Sequence, residues 1–415
     1  MADTVLTNDI IAREALLILE NQLGFVDTFH RAHESEYSNT TNGYKRGATV
    51  PIRRPADFTV RSGAVASNQD VIEGEVSLTI DQQIGVDFNF SSSDRTLNVT
   101  EFNERFTNPA VTTICNEMAR DCLEQMYQGA YNWVGTPGQL INSFSDFSKG
   151  PERLDELAAP ADRRFATMSV SDSWAMVGAQ TDLNAADKLA STAYTMGKLG
   201  MIGDCETYKT QVIPSHTVGA HGGTPLVDDA GTIEVTYDSV KNTWSQSLTT
   251  DGWTGSSLLK AGDVFTLAGV FMVNPRTKAD TGILQQFVLT ADVTTNASAA
   301  ADTVLTISPP IIITGPHQTV TAAPANNAAI TVMGTAGTSY KQNLFYHKNA
   351  FALAVVPMEM PQGVTDGARV SKNGLSIRLQ PYYDGTNDVG NYRFDILYGR
   401  KLIDPRIITR ASGTA

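Results

Sequence analysis

Cysteine is scarce in this sequence of 415 residues, and its spacing excludes a disulfide framework. There are only 3 cysteines, and Cys115 and Cys122 would stand about 10 Å apart along a predicted helix, beyond disulfide reach. We interpret these two residues and Cys205 as small buried apolar side chains. Such cysteine usage fits a reducing compartment.

Segments that would direct the chain to a membrane or out of the cell are missing from the sequence. The first residues, MADTVLTNDI, lack the basic and apolar regions of a signal peptide. No apolar run approaches the roughly 18 residues that a membrane span requires. The sequence therefore predicts a protein that is cytosolic when it is made and does not bind a membrane.

Charge is also sparse, because charged residues make up only 18% of the chain and the net charge is −13. Binding to a phosphate backbone needs clustered Lys and Arg, so this balance argues against nucleic acid as a primary ligand. Gly, Ala, Thr, Asn and Ser are plentiful instead. A surface poor in charge and rich in small polar residues suits burial against other subunits.

Motifs of catalysis and cofactor binding are absent from the sequence. There is no Walker loop, G-x-S-x-G elbow, HExxH or paired CxxC. The glycines of 197–203 lack the preceding strand and the spacing of a dinucleotide site. His30, His33 and Glu34 could share a helix face, but three neighbouring ligands without a distant fourth make a weak metal site. We predict no catalytic, cofactor-binding or metal site and no enzyme activity.

The period of the apolar positions changes within the first hundred residues. Residues 7–23 begin with capping residues and stop at Gly24, which predicts a short amphipathic helix. Between 44 and 98 the period becomes two, which predicts long strands with one buried face. The alternating apolar positions are Val76, Leu78, Ile80, Ile84, Val86, Phe88 and Phe90.

The two limbs of this predicted β-hairpin carry opposite charge. The outgoing limb is basic and the returning limb is acidic. Their charged residues are Lys45, Arg46, Arg53, Arg54 and Arg61, and then Asp70, Glu73, Glu75, Asp81 and Asp87. A two-stranded ribbon of this length is marginal alone, so we expect it to lie on another surface. The alternative is an ordinary hairpin with solvated charges, since surface ion pairs are common and weak.

A long helix and a mixed α/β region follow the hairpin. Asn108-Pro109 is typical of a helix start, and apolar residues then recur at helical spacing up to Gly135, which predicts a helix over 109–134. That helix would be about 39 Å long. The mixed region of 138–212 has predicted helices near 151–158 and 183–198 and a predicted strand at 165–170.

Residues 215–342 differ in composition and predict a self-contained all-β insert. They are rich in Thr, Ala, Gly, Val and Asn, with strand patterns at 264–273, 286–293 and 303–307 and turn residues between them. An apolar strand is predicted over 344–356. A last β unit at 368–410 alternates apolar and polar residues on both sides of a turn at Asp384-Gly385.

The order of these elements resembles one known family. The stretches that carry the resemblance are LLKAGDVFTLAGVFMVNPRTK (258–278), GILQQFVLTADV (282–293), NLFYHKNAFALAVVPMEMP (343–361) and YGRKLIDPRIITR (398–410). Together with the element order, they resemble the α+β, HK97-like fold of tailed-bacteriophage major capsid (coat) proteins. The all-β insert is similar to the inserted β-barrel domain of a short-tailed-phage subset.

The resemblance implies a division of the chain into the parts of that fold. The parts are an N-terminal arm (1–43), an E-loop β-hairpin (44–98), a spine helix with part of the P domain (99–150), the first part of the A domain (151–214), the inserted domain (215–342), the A-domain return (343–367) and a C-terminal β-hairpin (368–415).

The resemblance also implies what the protein does. It would self-assemble into pentamers and hexamers of an icosahedral procapsid or head that encloses double-stranded DNA. Residues 44–98 would lie across a neighbouring subunit, and the ten charged residues named above would be candidates for ion pairs between subunits. Further partners would be a scaffolding protein, a portal, in some shells a decoration protein, and DNA contacted non-specifically at most. The protein would be part of the virion and assemble in the host bacterial cytoplasm.

Three other interpretations are open at this point. An encapsulin-like compartment subunit would share the fold, although the insert and the chain length argue against it. A secreted adhesin or pilus-like β protein would account for the Thr- and Ala-rich segment but would need a signal peptide. A hydrolase with a β accessory domain would need a nucleophile constellation that we do not find.

Overall fold

The computed structural model describes residues 8–22, 28–32, 49–61, 63–65, 68–91, 106–181, 199–228, 233–361, 367–372 and 375–414. The chain divides into two compact units. The first comprises Met1–Pro51, Ser77–Cys122 and Phe351–Lys401, and the second comprises Ile52–Val76, Leu123–Ala350 and Leu402–Ala415. No helix in the described ranges is long and apolar enough to cross a membrane.

The helices and strands of the described residues are numbered here in chain order. The α-helices are α1 (Asn8–Gln22), α2 (Asn108–Gly129), α3 (Phe144–Glu156), α4 (Val170–Thr181) and α5 (Tyr237–Val240). The strands up to the middle of the chain are β1 (Thr49–Arg53), β2 (Glu75–Ser91), β3 (Asn132–Val134), β4 (Arg164–Met168), β5 (Met201–Ile202), β6 (Cys205–Lys209), β7 (Ser215–Thr217), β8 (Gly223–Val227), β9 (Gln246–Trp253), β10 (Leu258–Leu259) and β11 (Val264–Val273). The remaining strands are β12 (Asp280–Leu289), β13 (Val293–Thr294), β14 (Thr303–Ser308), β15 (Ile330–Val332), β16 (Ser339–Lys341), β17 (Asn343–His347), β18 (Phe351–Val356), β19 (Ala368–Lys372), β20 (Leu375–Asp384), β21 (Val389–Leu402) and β22 (Ile408–Ala411).

One six-stranded sheet organises the first unit. Its order is β1-β2-β21-β20-β19, and β18 also pairs with β21. The alternating apolar residues predicted in β20 and β21 form one buried face, on which Phe394 and Ile396 are almost inaccessible to solvent. Helix α2 is tied to this sheet by Asp121, which accepts hydrogen bonds from Tyr398, at 2.7 Å, and from Arg400. Helix α1 packs on β19 and β20 through its buried residues.

The second unit contains a six-stranded sheet and a β-barrel. The sheet has the order β3-β22-β17-β4-β6-β5, in which β22 with β3 and β4 with β6 are parallel. The barrel has the order β15-β11-β12-β14-β9-β8. It closes between β8 and β15, where Val227 N–H donates to the Ala328 carbonyl at 3.0 Å and Asn327 N–H donates to the Val227 carbonyl at 2.8 Å. The bridge between Leu226 and Ala329 lies at this closure.

A compact apolar core fills the barrel, because alternate residues of its strands point inward. The fully buried residues include Leu248, Phe265, Phe287, Leu305 and Ile307. The two ends of the inserted segment meet in a short antiparallel ladder of β7 with β16, where Ser215 pairs with Lys341.

The long helix ends earlier than we predicted. Helix α2 stops at Gly129, and Trp133, which we expected on the helix, lies in strand β3. The helical spacing of residues 126, 130 and 133 is coincidental, because β3 pairs in parallel with β22 from the distant C-terminal segment. Gly129 also lies so close to Leu402 that an added Cβ would be 2.3 Å from its side chain.

Two other element predictions are corrected by the structure. The helix expected near 151–158 begins at Phe144, because Ser143 caps it by accepting a hydrogen bond from Asp146 N–H at 3.1 Å, and Pro151 lies inside it. The apolar strand expected over 344–356 is two strands, β17 and β18, because the chain leaves one sheet at the 3₁₀ turn Lys348–Ala350 and joins another. The helix predicted at 183–198 lies outside the described residues.

The predicted two-limbed ribbon also differs from what forms. Strand β1 is only five residues long, and residues 54–74 contain no strand among the described positions. Strand β2 pairs along most of its length with β21, from Ile80 opposite Gly399 to Ser91 opposite Val389. The apolar alternation of β2 is therefore matched to a strand about 300 residues further along the chain rather than to the limb that precedes it.

Candidate assembly interface

Residues 54–74, here called the charged loop, connect β1 to β2 and expose an unusual amount of apolar surface. Val60 is 99% exposed, Val65 84%, Val71 61% and Phe58 58%. Single exposed apolar residues are common, but four of them within one loop are typical of a surface that another protein covers.

The two limbs of the charged loop are joined by one side chain. Gln69 Nε2 donates to the Thr59 carbonyl at 2.6 Å, and Gln69 Oε1 accepts from Thr59 N–H at 2.9 Å. The amide thus reproduces the pair of hydrogen bonds that two facing backbone residues exchange in an antiparallel ladder. This contact brings residues 59 and 69 of the two limbs together, although the described residues of the loop form no strand.

Two of the basic candidates are bound to groups of their own chain while remaining exposed. Arg53 Nη1 lies 3.2 Å from Glu73 Oε2, and both side chains are solvent-accessible. Arg61 Nη1 donates to the Val65 carbonyl at 2.9 Å and to the Gly63 carbonyl. An exposed pair such as Arg53 with Glu73 contributes little to stability, so both charges remain available to a partner at small cost.

Arg54 differs from the other described basic candidates because it is buried. Its side chain is only 8% exposed, and it donates from Nε to the Ile403 carbonyl at 3.0 Å and from Nη1 to the Lys241 carbonyl at 3.2 Å. Burial lowers the pKa of Arg54 from its ordinary value. Its pairing with a charge of another subunit stays a prediction.

The remaining candidates are divided between exposed and undescribed positions. Lys45 and Arg46 lie outside the described residues. Asp70, Glu75, Asp81 and Asp87 are all exposed, and Asp87 lies 3.9 Å from Arg393 on the paired strand β21. The structure therefore leaves the described acidic candidates on the surface and encloses Arg54.

The residues that hold the base of the loop were missed by the sequence interpretation. Asp57 accepts a hydrogen bond from Arg406 Nη1 at 2.8 Å and lies 3.3 Å from His317 Nδ1. Burial opposes ionisation, but the hydrogen bonds from His317 and Arg406 hold the pKa of Asp57 well below its usual range. Residues 57, 317 and 406 are far apart in the chain, and no local pattern links them.

Nothing in the described part of the chain indicates a metal centre. No group of three or more His, Cys, Asp or Glu residues there is arranged to hold a metal ion. His33 and Glu34 lie outside the described residues. All 3 cysteines are free and buried, as the sequence predicts.

Comparison with known proteins gives the family. Residues 32–410 match the family described as P22 coat protein, gene protein 5. The chain is 26% identical over 291 residues to the major capsid protein of Acyrthosiphon pisum secondary endosymbiont phage 1, covering 68% of each chain.

Solved structures of phage capsids are also similar to this chain. The match to Mycobacterium phage Che8 covers 93% of this chain and 89% of the other, with 10% identity and a TM-score of 0.48. The capsid of Ralstonia phage GP4 covers 94% and 88%, with 10% identity and a TM-score of 0.43. The CUS-3 coat protein I-domain is matched over all of its length and 29% of this chain, with 28% identity and a TM-score of 0.18.

The family match and the similar major capsid protein define the class of protein as a structural phage coat protein rather than an enzyme. The chain belongs to the P22 coat protein family, since that match extends over most of its length. It is the major capsid protein of a phage, associates with copies of itself in a shell and is part of the virion. The expected α+β capsid fold with an all-β insert is confirmed by this family and by the observed sheets and barrel, and the encapsulin-like alternative is not favoured.

Proposed function

We propose that this capsid protein forms the pentamers and hexamers of an icosahedral head that encloses double-stranded DNA, and that the charged loop joins neighbouring copies in that shell. The observation that carries this proposal is the exposure of Phe58, Val60, Val65 and Val71 on one loop. Covering these side chains with another copy of the chain removes apolar surface from water, which favours association.

Charge complements the apolar contact in this proposal. Arg53, Arg61, Asp70 and Glu73 are exposed on or beside the charged loop, so both signs are presented close to the apolar side chains. Charged groups around an apolar centre chiefly select the partner and its register, whereas the apolar centre provides most of the affinity. Together with Glu75, Asp81 and Asp87, these residues are the exposed charge-pair candidates. Lys45, Arg46 and Arg54 stay candidates as well.

The other partners of the shell belong to the same proposal. Helix α1 buries one face in its own unit and exposes Leu17, Arg13 and Asp9 on the other side, so a scaffolding protein would bind that exposed side. The net charge of −13 favours non-specific contact with DNA at most. A portal and a decoration protein complete the set of partners, and assembly takes place in the host cytoplasm.

The division of the chain into the seven domains expected for this fold, from 1–43 to 368–415, is also part of the proposal. It is supported by the pairing of Ser215 with Lys341, which brings together the two ends of the proposed insert at 215–342. The barrel between them would brace the subunit and project from the outer surface.

The test is Val60→Asp, with Val304→Asp as the matched control on barrel strand β14. Both side chains are exposed, Val304 by 53%, so both variants should fold and give a normal circular dichroism spectrum. We expect Val60→Asp to reduce the yield of shells in negative-stain microscopy at least tenfold, because it places a charge in the apolar contact. Normal shells from Val60→Asp, or an equal loss from Val304→Asp, would contradict the role of the loop.

A charge exchange tests the ionic part separately. Arg53→Glu and Glu73→Arg are made singly and together, so that the double variant restores the pair within the chain. If these charges contact another subunit, the double variant should assemble as poorly as the single variants. Full recovery of assembly in the double variant would show that the pair acts only within its own chain.

A further inference from the structure

We propose that residues 237–244 of the inserted segment, here called the clamp turn, are a positioning element that fixes the charged loop in the orientation needed for contact with another copy. This inference rests on the proposed function of the loop and adds the part of the chain that controls it. The clamp turn consists of α5 and the turn that follows it, and it belongs to the same compact unit as Ile52–Val76.

The outgoing end of the loop is held by Arg54. This guanidinium donates to the Lys241 carbonyl of the clamp turn at 3.2 Å and to the Ile403 carbonyl at 3.0 Å. It also lies over the ring of Trp244, with the guanidinium carbon 5.7 Å from the ring centroid. A buried cation bound to two carbonyls and stacked on an indole has little freedom to move.

The returning end of the loop is held by the same clamp turn. Glu75 N–H donates to Asn242 Oδ1 at 3.1 Å. Gly74 lies so close to the clamp turn that an added Cβ would be 2.2 Å from the Lys241 carbonyl oxygen and 3.0 Å from the Tyr237 hydroxyl. Arg54 N–H then donates to the Gly74 carbonyl at 2.8 Å, which joins the two ends of the loop to each other.

Trp244 is the centre of this arrangement. It is only 4% exposed, and a second guanidinium lies over its ring, since the guanidinium carbon of Arg406 is 5.6 Å from the ring centroid. Its Nε1 is buried and makes no hydrogen bond. Trp244 therefore acts through its ring faces, and Phe is the conservative replacement that keeps them.

A second contact connects the outgoing limb to the barrel. Arg406 and His317 both contact the Asp57 carboxylate, and the His317 ring is stacked on Tyr237 of the clamp turn with 3.5 Å between centroids. Asp57 directly precedes Phe58, the first of the exposed apolar residues. The residue that is held, Asp57, is therefore adjacent to the proposed contact surface.

Anchoring of this kind favours assembly because it reduces the entropy lost on association. A loop whose two ends are already ordered in the free subunit loses less conformational freedom when its tip binds a partner. A consequence is that changes in the clamp turn should alter the loop without unfolding the barrel, although residues 237–244 lie about 180 positions away in the chain.

The test compares variants of two clamp-turn residues in the unassembled full-length subunit. Asn242→Ala removes the acceptor of Glu75 N–H, whereas Asn242→Asp keeps an acceptor there. Trp244→Leu removes the aromatic faces, whereas Trp244→Phe keeps them. Thr243→Ala, in the same turn and exposed, is the matched control. Hydrogen exchange is measured at the amides of Arg54 and Thr59, which do not contact Asn242, with the barrel amides as internal reference.

We expect Asn242→Ala and Trp244→Leu to accelerate exchange at Arg54 and Thr59 by about fivefold or more, the effect of losing one hydrogen bond. The barrel amides should not change, and Asn242→Asp, Trp244→Phe and Thr243→Ala should resemble the unmodified protein. If Trp244→Leu also accelerates exchange in the barrel, its effect on the loop is not specific, and the comparison of Asn242→Ala with Asn242→Asp decides whether the clamp turn positions the loop. Unchanged exchange at Arg54 and Thr59 in Asn242→Ala overturns the positioning role.

Assembly of the same variants separates this inference from the proposed function. Faster loop exchange together with slower shell formation supports both the positioning role of the clamp turn and the contact of the charged loop with another subunit. Faster loop exchange with normal assembly keeps the positioning role and contradicts the role of the loop between subunits. Unchanged loop exchange with impaired assembly contradicts the positioning role and leaves the contact between subunits intact.

Discussion

Gln286 on barrel strand β12 is hydrogen-bonded to both backbone groups of Trp133 in the neighbouring sheet. Its Oε1 accepts from Trp133 N–H at 2.7 Å, and its Nε2 donates to the Trp133 carbonyl at 2.7 Å. One side chain thus takes the place of a neighbouring strand at the outer edge of β3. The barrel and the sheet of the second unit are joined by this contact and by Arg410, which donates to the Gly262 carbonyl at 2.8 Å.

Gln286→Met should destabilise the second unit by about 2–4 kcal/mol, because a side chain of similar size leaves the buried N–H and carbonyl of Trp133 without partners. Urea unfolding followed by tryptophan fluorescence measures this change. Gln211→Met, at an exposed position, is the control and should cost less than about 0.5 kcal/mol. Equal stabilities of the two variants would contradict the bridging role of Gln286.

Gly150→Ala should destabilise the protein by about 1–3 kcal/mol, the usual range for overpacking in a core. A Cβ at Gly150 in α3 would be 2.6 Å from the ring of Phe345, which is fully buried against Phe147. At Gly178, in α4, an added Cβ meets nothing within 4 Å. Gly178→Ala should therefore be neutral or stabilising by up to about 1 kcal/mol, since Ala is the better helix former. Thermal unfolding of both variants checks this difference in sign.

Lowering the pH should weaken the fold through His216. Burial lowers the pKa of His216, and the nearby Arg410 lowers it further. The hydrogen bond to Asp263, at 2.8 Å, raises this pKa but does not outweigh burial. The unfolded chain therefore binds a proton at His216 at a higher pH than the folded chain does. The contribution of neutral His216 to the free energy of unfolding is present above the pKa of the unfolded chain, about 6.5. It is lost as the pH falls below that value towards the pKa of the folded chain.

His216→Gln isolates this contribution, because Gln keeps a donor for Asp263 and does not titrate. The free energy of unfolding, measured in urea between pH 7.5 and pH 5, should fall less steeply for the variant than for the unmodified protein. Identical slopes would show that His216 does not contribute to the pH dependence.

The cysteine thiols should be unreactive until the protein unfolds. Burial raises the pKa of Cys115 and Cys205 to about 12, and it raises the pKa of Cys122 as well. Because the thiolate is the reactive form, a disulfide reagent such as Ellman's reagent at pH 8 should modify no cysteine in the native subunit. All 3 thiols should react in guanidinium chloride. Rapid modification of the native protein would contradict this burial.

Local pattern was sufficient for many of the elements. The strand predicted over 264–273 has the same bounds in the structure, and the alternation on both sides of Asp384-Gly385 forms β20 and β21. The helix predicted over 7–23 is observed as Asn8–Gln22. Apolar periodicity is a property of consecutive residues, so it can be read without knowing the partner of each element.

The partners themselves were decided by the tertiary structure. The sequence by itself determined that β2 is a long strand, that an all-β segment interrupts the chain and that the residues before β2 are rich in charge. Only the folded chain pairs β2 with β21, places Trp133 in a strand and encloses Arg54 between Lys241, Trp244 and Ile403. An arginine in a charged segment has the same local pattern whether it is exposed or buried, because burial depends on residues that are distant in the chain. For that reason the charges of this segment were found from the sequence, whereas the loop that carries them and the clamp turn that holds it were found only in the structure.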